Sequence, residues 1–343
     1  MYQKILALSL FIIIIASCTQ ENTETYERFF FRTSDGADLA VEVDGNRNSE
    51  VFILLLHGGP GGSGFVYNTG EYSEKLESDY AVVYLDQRGQ GASQGSYSAS
   101  QVTLQRFADD VYDLTLFLKQ KYGQDISVFV MGHSWGGTTG TYAMLHTDIQ
   151  NEIKGWIEVD GAHDIPLLNR EAIKLFLEIG NTEIAAGNNI SDWQEIVDFA
   201  SAVDTNNITE EEGGQINSYG FTAEGLLSQI VLGESGALSH SLVTAPTMTL
   251  SAYISGMLTA SAITEETEKV AMTDELYKIN IPTLLLWGKY DFVVPPALGE
   301  SAFANISSTE KELVIFDYSG HSPMDTEAAK LVDEVVEFVE LYK

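Results

Sequence analysis

A serine, a histidine and an aspartate, each in a glycine-bearing loop, are the residues of this chain best suited to covalent catalysis. Gly132-His133-Ser134-Trp135-Gly136 fits Gly-x-Ser-x-Gly, the pattern that presents a serine on a sharp strand-to-helix turn. A free serine hydroxyl is a poor nucleophile at neutral pH, so Ser134 needs a base. The chain has 6 histidines. His57 and His133 sit in motif backbones, His146 in a helix and His240 in an inserted region. His163 is the weaker base candidate and His321, in Ser319-Gly320-His321, the stronger. The base in turn needs a carboxylate to hold its tautomer and stabilise the imidazolium. Asp291 suits that role, and Asp160, one strand earlier, is the alternative. Charge developing on a substrate oxygen calls for two preorganised donors. They are the backbone N–H of Trp135 and one from His57-Gly58-Gly59-Pro60-Gly61, with Gly59 the first candidate.

The pattern alone does not choose the serine, because Gly91-Ala92-Ser93-Gln94-Gly95 fits it too. The flanking elements do. Residues 126–131 form a β-branched, apolar run, read as a buried strand, and 135–146 continue as a helix. Ser93 is followed by polar residues with no helix start and reads as a loop serine. Further strands are expected at 27–32, 37–43, 51–56, 80–85, 153–159, 281–287 and 312–316. Thr103 should cap a helix running to Tyr122, and 325–341 should form the last helix. Asp86 and Arg88 could pair and brace neighbouring loops. Strands alternating with helices predict an α/β fold with a mostly parallel sheet. The stretch 162–275 interrupts that alternation with helical patterns only and reads as an inserted helical cap. Within it, 241–264 lack any charge and are expected to form a buried helix facing the core.

The first 18 residues read as an address. Lys4 precedes an apolar run from Ile5 to Ile15, of signal-peptide length and too short to span a bilayer comfortably. Ile15-Ala16-Ser17-Cys18 resembles a bacterial lipobox, which makes Cys18 the expected lipidation site of an exported, envelope-anchored protein. It is also the only cysteine, so no disulfide can form within one chain. The 50 acidic and 18 basic residues give a net charge of −32. Such a balance argues against nucleic acid and against charge-driven binding to an anionic membrane. The insertion carries 18 acidic and 3 basic residues, so a cationic substrate group is favoured there, with Glu195, Asp198 and Glu224 as candidate partners.

His-Gly-Gly-Pro-Gly at 57–61, Asp-Gln-Arg-Gly at 86–89 and Gly-His-Ser-Trp-Gly-Gly at 132–137, with Asp291 and His321 beyond, together resemble the proline iminopeptidase branch of the α/β-hydrolases. The resemblance implies Ser134, Asp291 and His321 as a triad, and Gly59 and Trp135 as oxyanion donors. It implies removal of N-terminal residues from short peptides, with carboxylates of the insertion gripping the free amino group. Only Trp193 and Glu195 come near the family's Trp-Glu pattern there. The expected organisation is a signal segment at 1–17, a tether at 18–25, a core at 26–161 and 276–343, and the insertion at 162–275. Neither a metal nor an organic cofactor is implied. Carboxylesterase or lactonase activity is the alternative, and a ligand-binding surface lipoprotein on a dead hydrolase scaffold is the rival from another class.

Overall fold

The computed structural model describes residues 26–228 and 250–343. The signal segment, Cys18 and the first part of 241–264 lie outside the described residues.

The sheet is built from β1 (Glu27–Arg32), β2 (Ala37–Gly45), β3 (Val51–Leu56), β4 (Ala81–Leu85), β5 (Gln94–Gly95), β6 (Ser127–His133), β7 (Gly155–Val159), β8 (Thr283–Gly288) and β9 (Lys311–Phe316). Its order is β1-β2-β4-β3-β6-β7-β8-β9, with the short β5 beside β2. The pairs from β4 to β9 are parallel, while β1, β2 and β5 are antiparallel additions at one edge. The central parallel strands β3, β4 and β8 are buried along their whole length because both faces are covered, while β9 at the sheet edge is half-buried. Successive side chains point to opposite faces. Leu54, Leu56 and Val130 therefore pack with α2 (Leu104–Tyr122) and α3 (Trp135–His146). Ile53, Leu55 and Met131 pack with α1 (Gly70–Asp79) on the other face. Thr103 caps α2 as expected, its hydroxyl accepting from the Arg106 N–H.

Between β7 and β8 the chain leaves the sheet to form α4 (Ile165–Ala186), α5 (Ile190–Ala202), α6 (Glu210–Ser228) and α7 (Leu250–Thr267). Helices α4, α5 and α6 share a core of their own around Phe176, Trp193, Ile196 and Ile216, while Ile263 of α7 packs with Leu104, Phe107 and Trp135. Helix α7 departs from the expectation of a buried helix. It packs through Gly256, Thr259 and Ile263, spaced along one face, and leaves Ile254, Met257 and Leu258 exposed. Helix α8 (Pro296–Asn305) follows β8. The final helix is broken into α9 (Pro323–Thr326) and α10 (Ala328–Tyr342). At the break, the Glu327 carboxylate turns back to accept the Tyr318 N–H at 2.9 Å and the Ser319 hydroxyl at 2.6 Å.

Candidate active site

The loops that follow β3, β4, β6, β7, β8 and β9 all emerge at the carboxyl edge of the parallel strands, where α/β sheets collect their functional groups. Ser134 stands between β6 and α3 with φ 55 and ψ −116, a conformation that costs a non-glycine residue free energy. The surrounding packing leaves it no alternative. A Cβ on Gly132 would overlap the Gly136 carbonyl, and one on Gly136 would overlap the Leu56 carbonyl, so both glycines are required by close approach.

His321 reaches Ser134 from the loop after β9. Its Nε2 lies 2.9 Å from the Ser134 Oγ. Its Nδ1 lies 2.8 Å from Asp291 Oδ2. The other oxygen of Asp291 accepts the Val293 and Val294 N–H groups at 2.8 and 2.7 Å, which fixes the carboxylate. Burial pulls the pKa of His321 down, but the charge and hydrogen bond of Asp291, with help from Glu224, outweigh it and leave the imidazole above its usual 6.5. Asp160 does not touch His321 Nδ1. It sits at φ 46, fully buried, with one oxygen accepting the Gly288 N–H at 2.9 Å and the other without a partner. Burial first, and then the charge of Asp291, hold Asp160 well above the usual aspartate range. His163 is also removed from the site, its Nδ1 3.0 Å from Glu158. The Ser93 hydroxyl is buried and committed, accepting the Ala40 N–H and donating to the Asp86 carbonyl.

The glycine loop after β3 lies beside Ser134. Gly58 N–H donates to the Tyr67 hydroxyl at 2.9 Å. Gly59 N–H and Trp135 N–H have no acceptor among the described residues, and both residues line the cavity that holds Ser134. Two histidines brace this loop. His57 Nδ1 bonds the Gly58 carbonyl at 2.7 Å, and burial lowers its pKa to about 4. His133 Nε2 donates to the His321 carbonyl at 2.7 Å, so its Nδ1 accepts from the Tyr67 hydroxyl at 2.6 Å. Burial, then the nearby His321, lower His133 to about 3, so it stays neutral. Tyr67 is thus a link between two motifs that no sequence signal marks. The pairing of Asp86 with Arg88 does not occur. Asp86 accepts from Ser63, Gly64 and Ala92, while Arg88 pairs with Asp35 and Asp110 at 2.8 and 2.7 Å. Each residue braces a loop, but by separate partners.

Above Ser134 is a cavity of about 220 Å³ roofed by the inserted helices. Trp135, Ile165, Leu168, Val293 and Val294 make much of its wall. Among the described residues its one ionisable side chain is Glu268, pushed above the usual glutamate range by burial and by the charge of Glu210. The sequence singled out other carboxylates. Glu195 is exposed and takes the Tyr219 hydroxyl, Asp198 is exposed, and Trp193 is buried in the insertion core. Glu224 lies behind the base instead, raised to about 8 by burial and then by Asp291. Among the described residues, His133, Asp160 and His321 offer ligand atoms within 4.8 Å of one another. Both ring nitrogens of each histidine already have protein partners, so this cluster is poorly suited to a metal.

Known proteins are similar to this chain in sequence and in fold. A proline iminopeptidase of Saccharolobus solfataricus is 26% identical over 330 residues, covering 92% of each chain. A probable aminopeptidase of Bacillus subtilis, YbaC, is 23% identical, covering 79% of this chain and 83% of its own. An esterase structure from Exiguobacterium antarcticum superposes with a TM-score of 0.55 at 18% identity, covering 92% of this chain and 100% of its own. The family model for the alpha/beta hydrolase fold matches residues 51–328. With β3 to β9 and the loops that carry Ser134, Asp291 and His321 inside that match, the chain belongs to the α/β-hydrolase family.

Proposed function

We propose that the protein is a serine hydrolase that releases N-terminal residues from short peptides through an acyl-enzyme. Ser134 Oγ attacks the scissile carbonyl while His321 Nε2 takes its proton. The tetrahedral oxyanion is held by the N–H groups of Gly59 and Trp135. His321 then returns the proton to the leaving amine, and water, activated by the same imidazole, releases the acyl group. Asp291 keeps the Nδ1 proton in place and stabilises the imidazolium. The observation that supports this chemistry is the unbroken row from Asp291 Oδ2 through His321 to Ser134 Oγ, at 2.8 and 2.9 Å, on the floor of a cavity.

The peptide reading rests on Glu268. Among the described residues it is the one carboxylate on the cavity wall, so an ammonium group is the natural counter-charge. The iminopeptidase relatives fit the same reading. N-acetylation of an aminoacyl p-nitroanilide should then remove most of kcat/KM. Equal turnover of free and acetylated substrates would sink the peptide reading. The apolar share of the wall favours a second reading, an ester or lactone, and p-nitrophenyl esters turned over faster than any aminoacyl amide would support it.

A further inference from the structure

Helix α6 carries glycines at 213, 214, 220 and 225 inside its span, Glu210–Ser228, and among them a Cβ would meet a neighbour within 4 Å at Gly213 and Gly220. An interior helical glycine costs about 1 kcal/mol relative to alanine, so each needs a reason. The two share a stripe with Asn217 and Glu224, at positions i, i+4, i+7 and i+11 of one helix face. At the first end of the stripe, Gly213 and Asn217 line the Ser134 cavity. A Cβ at Gly213 would come 3.1 Å from the Glu268 carboxylate. Further along, a Cβ at Gly220 would stand 2.8 Å from the Phe292 carbonyl and 3.2 Å from Val293 Cα. One more turn on, the two oxygens of Glu224 accept the backbone N–H groups of Phe292 and His321, each at 3.1 Å. A Cβ on Gly320 would press into that same carboxylate.

Phe292 directly follows Asp291, and His321 is the base itself. One side chain of the inserted helices therefore grips the backbone of both loops whose side chains must meet. Phe292 is buried against Phe176 and Trp193 of the insertion, with rings stacked at 5.9 Å from Phe176, so the grip is backed by packing. We propose that Glu224 is a positioning residue that holds the Asp291 and His321 loops in register, and that α6 thereby joins the substrate cavity to the base. This rests on the reading of Ser134 and His321 as nucleophile and base. On it, the inserted helices belong to the catalytic frame as well as to the substrate cavity. Displacing α6 slows acylation more than it weakens binding.

The test uses the full chain with three substitutions. Glu224→Gln keeps an acceptor for one N–H but turns an amide donor toward the other. Gly220→Ala improves helix propensity while pushing α6 off Phe292. Glu211→Gln, exposed on the same helix, is the charge-matched control. The readouts are kcat and KM on p-nitrophenyl acetate, the rate of labelling by a fluorophosphonate, and the thermal midpoint. Glu224→Gln and Gly220→Ala should lower kcat and labelling about tenfold or more, the scale of one buried hydrogen-bonding group left without its partner, with KM changed by less than about twofold. Glu211→Gln should match the unsubstituted protein. Gly220→Ala separates position from folding, because alanine stabilises a helix. Labelling and kcat within about twofold for both variants, or a loss carried by KM, would overturn the proposal. If the unsubstituted protein takes no label at all, the serine-hydrolase reading fails instead.

Discussion

His321 Nε2 meets Ser134 Oγ at 2.9 Å although the two residues are 187 positions apart. In the sheet, β9 lies three places from β6, about 14 Å at ordinary strand spacing. The loop after β9 must therefore reach back over the ends of β8 and β7. It does so in contact with β8, where a Cβ on Gly288 would overlap the Gly320 carbonyl. At its tip the His321 carbonyl is held by His133, the residue next to Ser134, and the His321 N–H by Glu224. The base is thus fixed by its backbone on two sides before its ring makes either hydrogen bond.

Ser134→Ala should abolish turnover, with a loss of about 10⁶ in kcat typical of serine hydrolases that lose the nucleophile. Ser93→Ala should stay active, because its hydroxyl serves only the Ala40 and Asp86 backbone, and should lower the thermal midpoint. Measuring both activity and melting for each variant checks the assignment. A dead Ser93 variant with intact fold would reverse it.

The rate should rise with pH as His321 loses its proton. Its folded pKa is raised above 6.5, so the acidic limb of the kcat/KM profile should lie above that value. Asp291→Asn removes the dominant favourable charge and should move the limb to lower pH while cutting kcat by about 10⁴. A limb that stays in place in the variant would remove Asp291 from the site.

Asp160→Asn should leave kcat nearly unchanged. Burial and then the charge of Asp291 hold the Asp160 carboxyl well above the usual aspartate range, toward the uncharged form, and an amide reproduces its acceptor toward Gly288 N–H. Stability should tell the two apart. A raised folded pKa means that the unfolded chain gives up the Asp160 proton first, so stability is lost as pH rises above the unfolded value. The asparagine variant escapes that loss. Its thermal midpoint should exceed that of the unsubstituted protein by more at pH 8 than at pH 5. An equal difference at the two pH values would show that Asp160 titrates normally.

Cys18→Ser should release the protein from the membrane fraction or block its processing. A single acyl chain gives only marginal anchoring, so several chains on one cysteine are needed to hold a protein of this size. Fractionation of cells expressing each form decides the matter, and unsubstituted protein recovered wholly in the soluble export fraction would refute lipidation.

Local sequence was enough to mark the described strands other than the two-residue β5, the turn at Ser134 and the glycine loop. Apolar runs bounded by glycine and polar residues mark fully buried parallel strands, and β3, β6 and β8 match their expected spans to within two residues. Helix α1 escaped such reading because only Tyr72, Ser73 and Leu76 are buried in it, too few to set a period. The choice of acid was not local either. Asp160 and Asp291 both lie in the loop that follows a strand, and only the arch of the β9 loop over β8 brings His321 Nδ1 to Asp291. The same holds for the carboxylates of the insertion. Eighteen acidic residues lie in that stretch, and composition cannot say which face inward. Packing decided it, turning Glu268 into the cavity and Glu224 onto the backbone of the base, because a helix face is assigned by what it docks against and not by its own sequence.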